Sequence, residues 1–206
     1  MPSPIKTVHF GNYVFNVCEN VYEPAEDSFL FAENLDVQKC VWVLDVGTGC
    51  GMLGILAAGK GGSVLAVDVN PYAVRCVKEN SVLNHVRDKV AFLQADLLNA
   101  LKESAKFDLI LFNAPYLPSA KDETDSWIGR AWAGGVNGRH VIDRFIPQAA
   151  QSLKPNGRVL LMQSTLAGVQ ETINKFGENE LKVNVKAERK LPFFETLTLI
   201  EAQSKS

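Results

Sequence analysis

The chain has 206 residues, 47% of them apolar, enough to bury one substantial core, and a single α/β domain is the simplest organisation. Its 23 acidic and 21 basic side chains leave a net charge of −2, so no general positive field is present to hold a long nucleic acid. No stretch approaches the ~20 apolar residues of a membrane span, and the first sixteen residues lack the apolar centre of a signal peptide, which makes a cytoplasmic location the expectation. Cys18, Cys40, Cys50 and Cys76 show neither C-x-x-C pairing nor metal-ligand spacing and sit beside apolar residues, as buried free thiols would.

Residues 6–17 alternate apolar and polar around Gly11-Asn12, the pattern of a short hairpin or two extended pieces. Pro24 then bars a helix interior before it. Glu26 and Asp27 suit the first turn of a capped amphipathic helix whose apolar face is Phe29, Leu30 and Leu35. Val41 to Val46 reads as a buried strand, and the glycines that follow let the backbone turn sharply into a helix that runs to about Lys60 and stops at Gly61-Gly62. This is a nucleotide-cofactor turn, but two cofactors fit it. Gly49-x-Gly51-x-x-Gly54 matches the dinucleotide fingerprint, whereas Asp45-x-Gly47-x-Gly49-x-Gly51 matches the turn of enzymes that use S-adenosylmethionine (SAM).

Ser63 to Asp68 is a second strand with almost no polar alternation, as a parallel strand covered on both faces requires. Asn70 caps the next helix with Pro71 at its first position, and Val74, Val77, Val82 and Leu83 mark its apolar side. Lys89 to Ala95 and Phe107 to Phe112 are a third and fourth strand, ending at Asp96 and Asn113. Between Tyr116 and Gly138 no period is visible, and connections of this length are usually lids or binding loops. Arg139 to Leu153 is helical, Gly157 to Met162 is a fifth strand after the Pro155-Asn156-Gly157 turn, and Leu166 to Phe176 is a weaker helix. Leu181 to Lys186 and Glu195 to Glu201 alternate strictly and read as a closing antiparallel hairpin at the edge of the sheet. Strands alternating with helices at this spacing predict a doubly wound, mostly parallel Rossmann-like sheet.

In such a sheet ligands bind outside the carboxyl ends of the strands. This sequence delivers Asp45 and Gly47, Asp68, Asp96, and Asn113 there from four successive strands. Any one of them is explained by a helix cap or an exposed carboxylate; four at one edge point to a site. Asp68 lies at the separation from the glycines at which an acid accepts hydrogen bonds from ribose hydroxyls, and Asp96 is placed to orient an adenine edge. Asn113-Ala114-Pro115-Tyr116 carries the chemistry. A planar NH₂ has its lone pair delocalised, so methylating it requires holding both N–H bonds, which the Asn113 side-chain oxygen and the Ala114 carbonyl can accept, while Tyr116 stacks on the plane.

Four stretches resemble the HemK-like class I SAM-dependent methyltransferases, which methylate the glutamine of the Gly-Gly-Gln loop of peptide-chain release factors. They are VYEPAEDSFL at 21–30, DVGTGCG at 45–51, NAPY at 113–116 and WAGGVNGRHVIDRF at 132–145. The spacing is most similar to the short eukaryotic and archaeal branch. The resemblance implies a seven-stranded sheet, with residues 1–40 as an extension carrying a lid motif and 41–206 as the catalytic core. It also implies that Ser28, Asp45, Gly47, Gly49, Gly51, Asp68, Asp96, Leu97 and Asn113 line the SAM pocket, and that Asn113, Ala114, Pro115 and Tyr116 stand at the target nitrogen. The family usually has proline where this chain has Ala114; alanine keeps the carbonyl and loses the rigidity of the ring. Short-branch members depend on a small zinc-binding activator protein that pairs with a sheet edge, and Val90 to Leu93 lies in the strand that the usual order puts at an edge. Three alternatives remain open at this stage: an adenine-N6 methyltransferase acting on DNA or RNA, an NAD-dependent oxidoreductase, and a catalytically weak SAM-binding subunit.

Overall fold

The structure, a computed structural model, describes residues 6–120, 123 and 125–205. Seven strands form one sheet in the order β5-β4-β3-β6-β7-β9-β8, with β3 (Trp42–Val46), β4 (Ser63–Asp68), β5 (Val90–Gln94), β6 (Phe107–Asn113) and β7 (Leu153–Ser164) parallel. β9 (Thr196–Gln203) inserts antiparallel between β7 and β8 (Lys182–Lys190), so the closing hairpin carries one edge and β5 the other. β3, β4 and β5 follow one another outward, and β6 then returns to the other side of β3. The chain thus reverses direction between β3 and β6, and the crevice at their carboxyl ends is where such folds bind ligands.

One face of the sheet buries Phe31, Ile55, Cys76 and Val77 from α1 (Glu26–Glu33), α2 (Met52–Gly59) and α3 (Pro71–Leu83). The other buries Phe145, Ile146 and Phe176 from α5 (His140–Gln151) and α6 (Val169–Glu178). With helices on both faces, the middle of β6 has to be apolar, and Leu109 to Phe112 are all buried. Among the described residues no helix is long and apolar enough to cross a membrane.

The N-terminal hairpin of β1 (Lys6–Phe10) and β2 (Tyr13–Val17) lies outside this sheet, and it is held by Asn80 of α3 and by Asn84, which caps that helix. The Val14 N–H donates to Asn84 Oδ1 at 3.0 Å and the Asn16 N–H to Asn80 Oδ1 at 2.9 Å, while the two side-chain amides donate back to the Val14 and Asn16 carbonyls at 2.7 and 2.9 Å. Four residues of helix rise about 6 Å and two of strand about 6.6 Å, so side chains four apart on α3 match alternate backbone groups of β2. Asn80 also donates to the Cys50 carbonyl at 2.8 Å, which joins the hairpin to the glycine turn.

Several expectations change in detail. The buried side of α3 is Ala73, Cys76, Val77 and Asn80; Val82 and Leu83 are exposed, because the asparagines take the inward positions near the helix end. On α1 the fully covered residues are Leu30, Phe31 and Ala32, Leu35 lies beyond the helix, and Asp27 is buried rather than solvated. Cys50 and Cys76 are buried thiols as expected, Cys18 is half-buried and Cys40 is exposed. The fifth strand starts at Leu153 and takes Pro155-Asn156-Gly157 in as a bulge, with pairing resuming at Leu109 opposite Arg158. The segment after Tyr116 is also more ordered than its sequence suggests: it holds α4 (Trp127–Trp132), and Leu117 and Ser119 are hydrogen-bonded to Trp132, Gly134 and Gly135.

Asn80→Ala leaves the Asn16 N–H and the buried Cys50 carbonyl without their partners, and is expected to lower unfolding free energy by roughly 2–4 kcal/mol. A denaturant titration showing a loss below about 0.5 kcal/mol would mean that α3 does not anchor the hairpin.

Candidate active site

A cavity of about 500 Å³ opens at the carboxyl ends of β3, β4 and β6. Ser28, Asp45, Gly47, Gly49, Asp68, Asp96, Leu97, Asn113, Ala114, Pro115 and Tyr116 all line it. Gly51 does not. It turns the chain into α2 at φ +88°, and a Cβ there would come within 2.4 Å of Val77 Cγ2, so its role is packing.

The glycine turn is stapled by Asp45. Its Oδ2 accepts from the Thr48 hydroxyl at 2.6 Å and from the Gly54 N–H at 3.0 Å, and a Cβ on Gly54 would lie 2.7 Å from that oxygen. Asp45 is buried, and desolvation pushes its carboxyl up to about 7 despite those two donors. Asp68 accepts from the Asn70 N–H through Oδ1 at 2.9 Å and from the Gly49 N–H through Oδ2 at 3.0 Å, which ties the end of β4 to the turn after β3. Burial raises its pKa also. Asp96 is ion-paired with Arg144 of α5 and is the most exposed of the three. Leu97 beside it takes a left-handed backbone at φ +52° and turns its side chain inward.

The most connected group is one that the sequence reading assigned only to a helical first turn. Asp27, buried on α1, accepts through Oδ1 from the Ser28 N–H at 2.6 Å, the Ser28 hydroxyl at 3.2 Å and the Tyr22 hydroxyl at 3.5 Å. Through Oδ2 it accepts from Asn113 Nδ2 at 3.1 Å and the Tyr116 hydroxyl at 3.4 Å, and Ser28 Oγ takes a second bond from Asn113 Nδ2 at 3.2 Å. A carboxylate can only accept, so the Asn113 amide must turn its NH₂ toward α1 and its oxygen away. That oxygen, Oδ1, is buried and without a partner. Burial, then the nearby Asp27 charge, raises the Tyr22 and Tyr116 hydroxyls above the usual tyrosine range, so both are neutral donors. The signal for Asp27 was present in the sequence: an acid flanked by Val21, Tyr22 and Phe29, behind a helix start, Ala25, that offers no side-chain cap.

α4 covers one side of the cavity. Ser126 Oγ caps it by accepting from the Gly129 N–H at 2.9 Å, and the Arg130 guanidinium stacks on Trp127 at 4.9 Å. Trp127, Arg130 and Trp132 all face the cavity. Arg139, from the fourth family-like stretch, is not in it. It is buried and donates to the Ala167 and Gly168 carbonyls at 2.6 and 2.8 Å and to Asp143 at 2.8 Å, a structural cross-brace between α5 and the start of α6.

The methyltransferase small domain family matches residues 23–130. The putative protein N5-glutamine methyltransferase of Methanocaldococcus jannaschii is 45% identical over 181 residues, covering 87% of this chain and 90% of that one. Mouse methyltransferase HEMK2 is 38% identical over 79% of this chain and 78% of its own. Among solved structures, the E. cuniculi Mtq2-Trm112 complex, which methylates the eRF1 translation termination factor, superposes with a TM-score of 0.67 over 90% of this chain and 99% of that chain at 23% identity. The T. thermophilus 16S rRNA N2 G1207 methyltransferase RsmC, solved with AdoMet and guanosine, superposes at 0.74 over 98% of this chain and 50% of that chain at 22% identity. These relatives remove the NAD-dependent oxidoreductase from consideration. With its glycine turn, its strand-end acids and its N-A-P-Y turn around one cavity, the chain belongs to the methyltransferase small domain family and is a SAM-dependent methyltransferase.

Proposed function

We propose that this methyltransferase transfers a methyl group to the side-chain nitrogen of the glutamine in the Gly-Gly-Gln loop of a peptide-chain release factor, with SAM as donor. The observation that carries this reading is the Asn113 amide at the cavity wall, whose NH₂ is fixed by Asp27 and Ser28 and whose oxygen is left without a partner. A glutamine NH₂ has two N–H bonds and almost no basicity, and it has to be gripped in plane to react. Asn113 Oδ1 accepts one N–H, the Ala114 carbonyl accepts the other, and Tyr116 bounds the plane; Ala114 is buried, so the missing proline ring is replaced by the support of its neighbours.

SAM, when bound, supplies an electrophilic methyl on a sulfonium that leaves as a neutral thioether. The cavity suits it: Asp68 has free lone pairs for two ribose hydroxyls, the turn at Gly47 and Gly49 lets a ligand approach the backbone, and Leu97 offers an apolar wall to a base. Buried carboxylates at Asp45 and Asp68, raised by desolvation, favour a cationic ligand. As the nitrogen–methyl bond forms, its proton becomes acidic and passes to water, so no tuned base is required. Asn113 is the catalytic residue in this scheme and Asp27 its positioning residue.

A partner follows on the far side of the sheet. β5 is an open edge on which Ala91 is exposed, Phe92 and Leu93 are half-covered, and the Arg87 guanidinium stacks on Phe92 at 4.7 Å. We assign this edge to a small activator protein of the zinc-binding type; the Mtq2 structure, a complex with Trm112, supports it. Residues 1–40 serve as the extension that brings Tyr22, Asp27 and Ser28 to the core formed by 41–206, and four thiols without a disulfide fit a cytoplasmic setting.

The direct test is methyl-labelled SAM with the activator present, against a release factor, the same factor with its Gly-Gly-Gln glutamine replaced, and RNA or DNA. Label on the intact factor alone is expected; label on nucleic acid alone would move the substrate to adenine. Asn113→Ala should lower kcat at least about 10³-fold with SAM affinity within a few-fold, and Asp27→Asn, which lets the Asn113 amide turn over, about 10²-fold. Collapse of SAM binding in Asn113→Ala would contradict that division of labour. Asp68→Ala should weaken SAM by about 1–3 kcal/mol in a titration, and an unchanged dissociation constant would remove it from the site.

A pH dependence follows from Asp45. Its carboxyl is raised to about 7 in the protein, and a bound cation favours the ionised form and draws that value down. Below pH about 7 SAM binding therefore displaces a proton, and affinity rises with pH up to that point and levels off above it. Calorimetry in two buffers of different ionisation enthalpy measures the released proton; none at pH 6 would mean that Asp45 does not sense the ligand.

A further inference from the structure

The most exposed large apolar side chains among the described residues are Phe194, fully exposed, Phe193 at 96% and Val136 at 90%. They sit on neighbouring loops at the carboxyl edge of the sheet. Phe193 and Phe194 form the tip between β8 and β9. Since β9 runs antiparallel to β7, and Leu197 pairs with Ser164 just beyond the Met162–Asn113 pair, this tip projects from the same sheet edge as the active-site cavity. Half-exposed Leu166 sits in the turn after β7, whose Thr165 hydroxyl accepts from the Thr196 N–H at 3.1 Å. The 134–138 turn that carries Val136 presses on that same turn and on the cavity wall: a Cβ at Gly138 would lie 2.3 Å from the Tyr116 carbonyl and 3.1 Å from Ala167 Cβ.

Three neighbouring loops thus carry four exposed apolar side chains on the carboxyl edge of the sheet where the cavity opens, and each loop is tied down. Arg139 holds the Ala167 and Gly168 carbonyls, the Leu191 N–H donates to the Glu195 carbonyl at 2.8 Å to close the tip, and Arg189 below it is paired with Glu26 and Glu33 of α1, both at 2.7 Å. Phe193 and Phe194 adopt left-handed backbone at φ +61° and +65°, a conformation that bulky residues rarely take and that turns both rings to solvent rather than onto the sheet. An apolar surface that is exposed, rigid and held in a disfavoured backbone is organised for contact.

We propose that Phe193 and Phe194, with Val136 and Leu166 beside them, form a docking surface for the folded domain of the protein that carries the target glutamine. The inference rests on the glutamine reading of the cavity. A glutamine on a loop of a folded protein reaches Asn113 only if its own domain comes down on the carboxyl edge of the sheet, and the 134–138 turn joins this surface to the cavity wall at Tyr116. The tip carries Glu188 and Glu195 as well as Arg189 and Lys190 and offers no net positive charge to a phosphate backbone, which favours a protein over a nucleic acid.

The test compares the wild type with the double variant Phe193→Ser, Phe194→Ser, whose altered side chains touch nothing in the core, using the activator-bound enzyme, a release factor and a short peptide containing Gly-Gly-Gln. For the factor, Kd by calorimetry and KM should rise at least tenfold with kcat within twofold; KM for the peptide and Kd for SAM should stay unchanged. Leu166→Ser should give a smaller loss of the same type. Unchanged Kd and KM for the factor overturn the proposal, and so do equal losses on factor and peptide, which would place the effect in the cavity. Loss of RNA binding alone, or conversion of a dimer to a monomer by light scattering with the factor's Kd unaltered, would reassign the surface to RNA or to a second copy of the chain and also overturn it. If the wild type binds the factor without methylating it, the glutamine reading fails, while the Kd comparison still decides the docking surface.

Discussion

The structure depends on one carboxylate that accepts every hydrogen bond offered to it. Asp27 has no donor of its own, so each group around it must point an N–H or O–H inward: Ser28, Tyr22, Tyr116 and the amide of Asn113. An asparagine side chain has two faces of opposite polarity, and a neighbour that can only accept decides which one is left over. The acceptor of Asn113 is consequently the atom turned away from α1, and because it is buried and unpaired it has a strong requirement for a donor. The orientation of the Asn113 amide is set by electrostatics from a residue 86 positions away.

The same logic operates at the turn after β3. Asp45 is buried at the cost of desolvation, and two donors, the Thr48 hydroxyl and the Gly54 N–H, hold the loop in the shape that brings Gly47 and Gly49 to the cavity. Asp68 repeats the device from the neighbouring strand, joining two adjacent loops through Gly49. The acids at the carboxyl edge therefore have two roles. They build the loops first, and the lone pairs that remain are what a ligand meets.

Around this centre the chain fixes its less regular segments by matching backbone groups to side chains. Asn80 and Asn84 hold β2 by pairing a helical spacing with a strand spacing, and Arg139 serves the same purpose for the turn before α6. These braces keep the N-terminal extension and the rim loops in register with the sheet. The methyltransferase core is thus surrounded by surfaces that differ in character: an open strand edge at β5, a stacked Trp127–Arg130 pair over the cavity, and an apolar rim at the far hairpin.

Local pattern was sufficient for much of this. Ser63 to Asp68 was delimited by its unbroken apolar run, Asn70-Pro71 marked the start of α3, and the residues delivered to the strand ends were legible because period and turn chemistry are local properties. The motif stretches carried the family and, with it, the reaction. What sequence did not reveal were the choices made by contacts distant in the chain. Val82 and Leu83 look like a buried face, yet Asn80 and Asn84 took the inward positions because the edge of β2 away from β1 lay opposite. Gly51 fits the fingerprint but packs on Val77, and Asp27 passes for a helix-cap acid until Asn113 is brought beside it. The sequence by itself determined the order of elements and the residues that the strand ends deliver to the cavity. Only the tertiary structure decided which polar groups are buried together, because the energy of a hydrogen bond depends on partners and on exclusion of water, and both are set by residues that are neighbours only after folding.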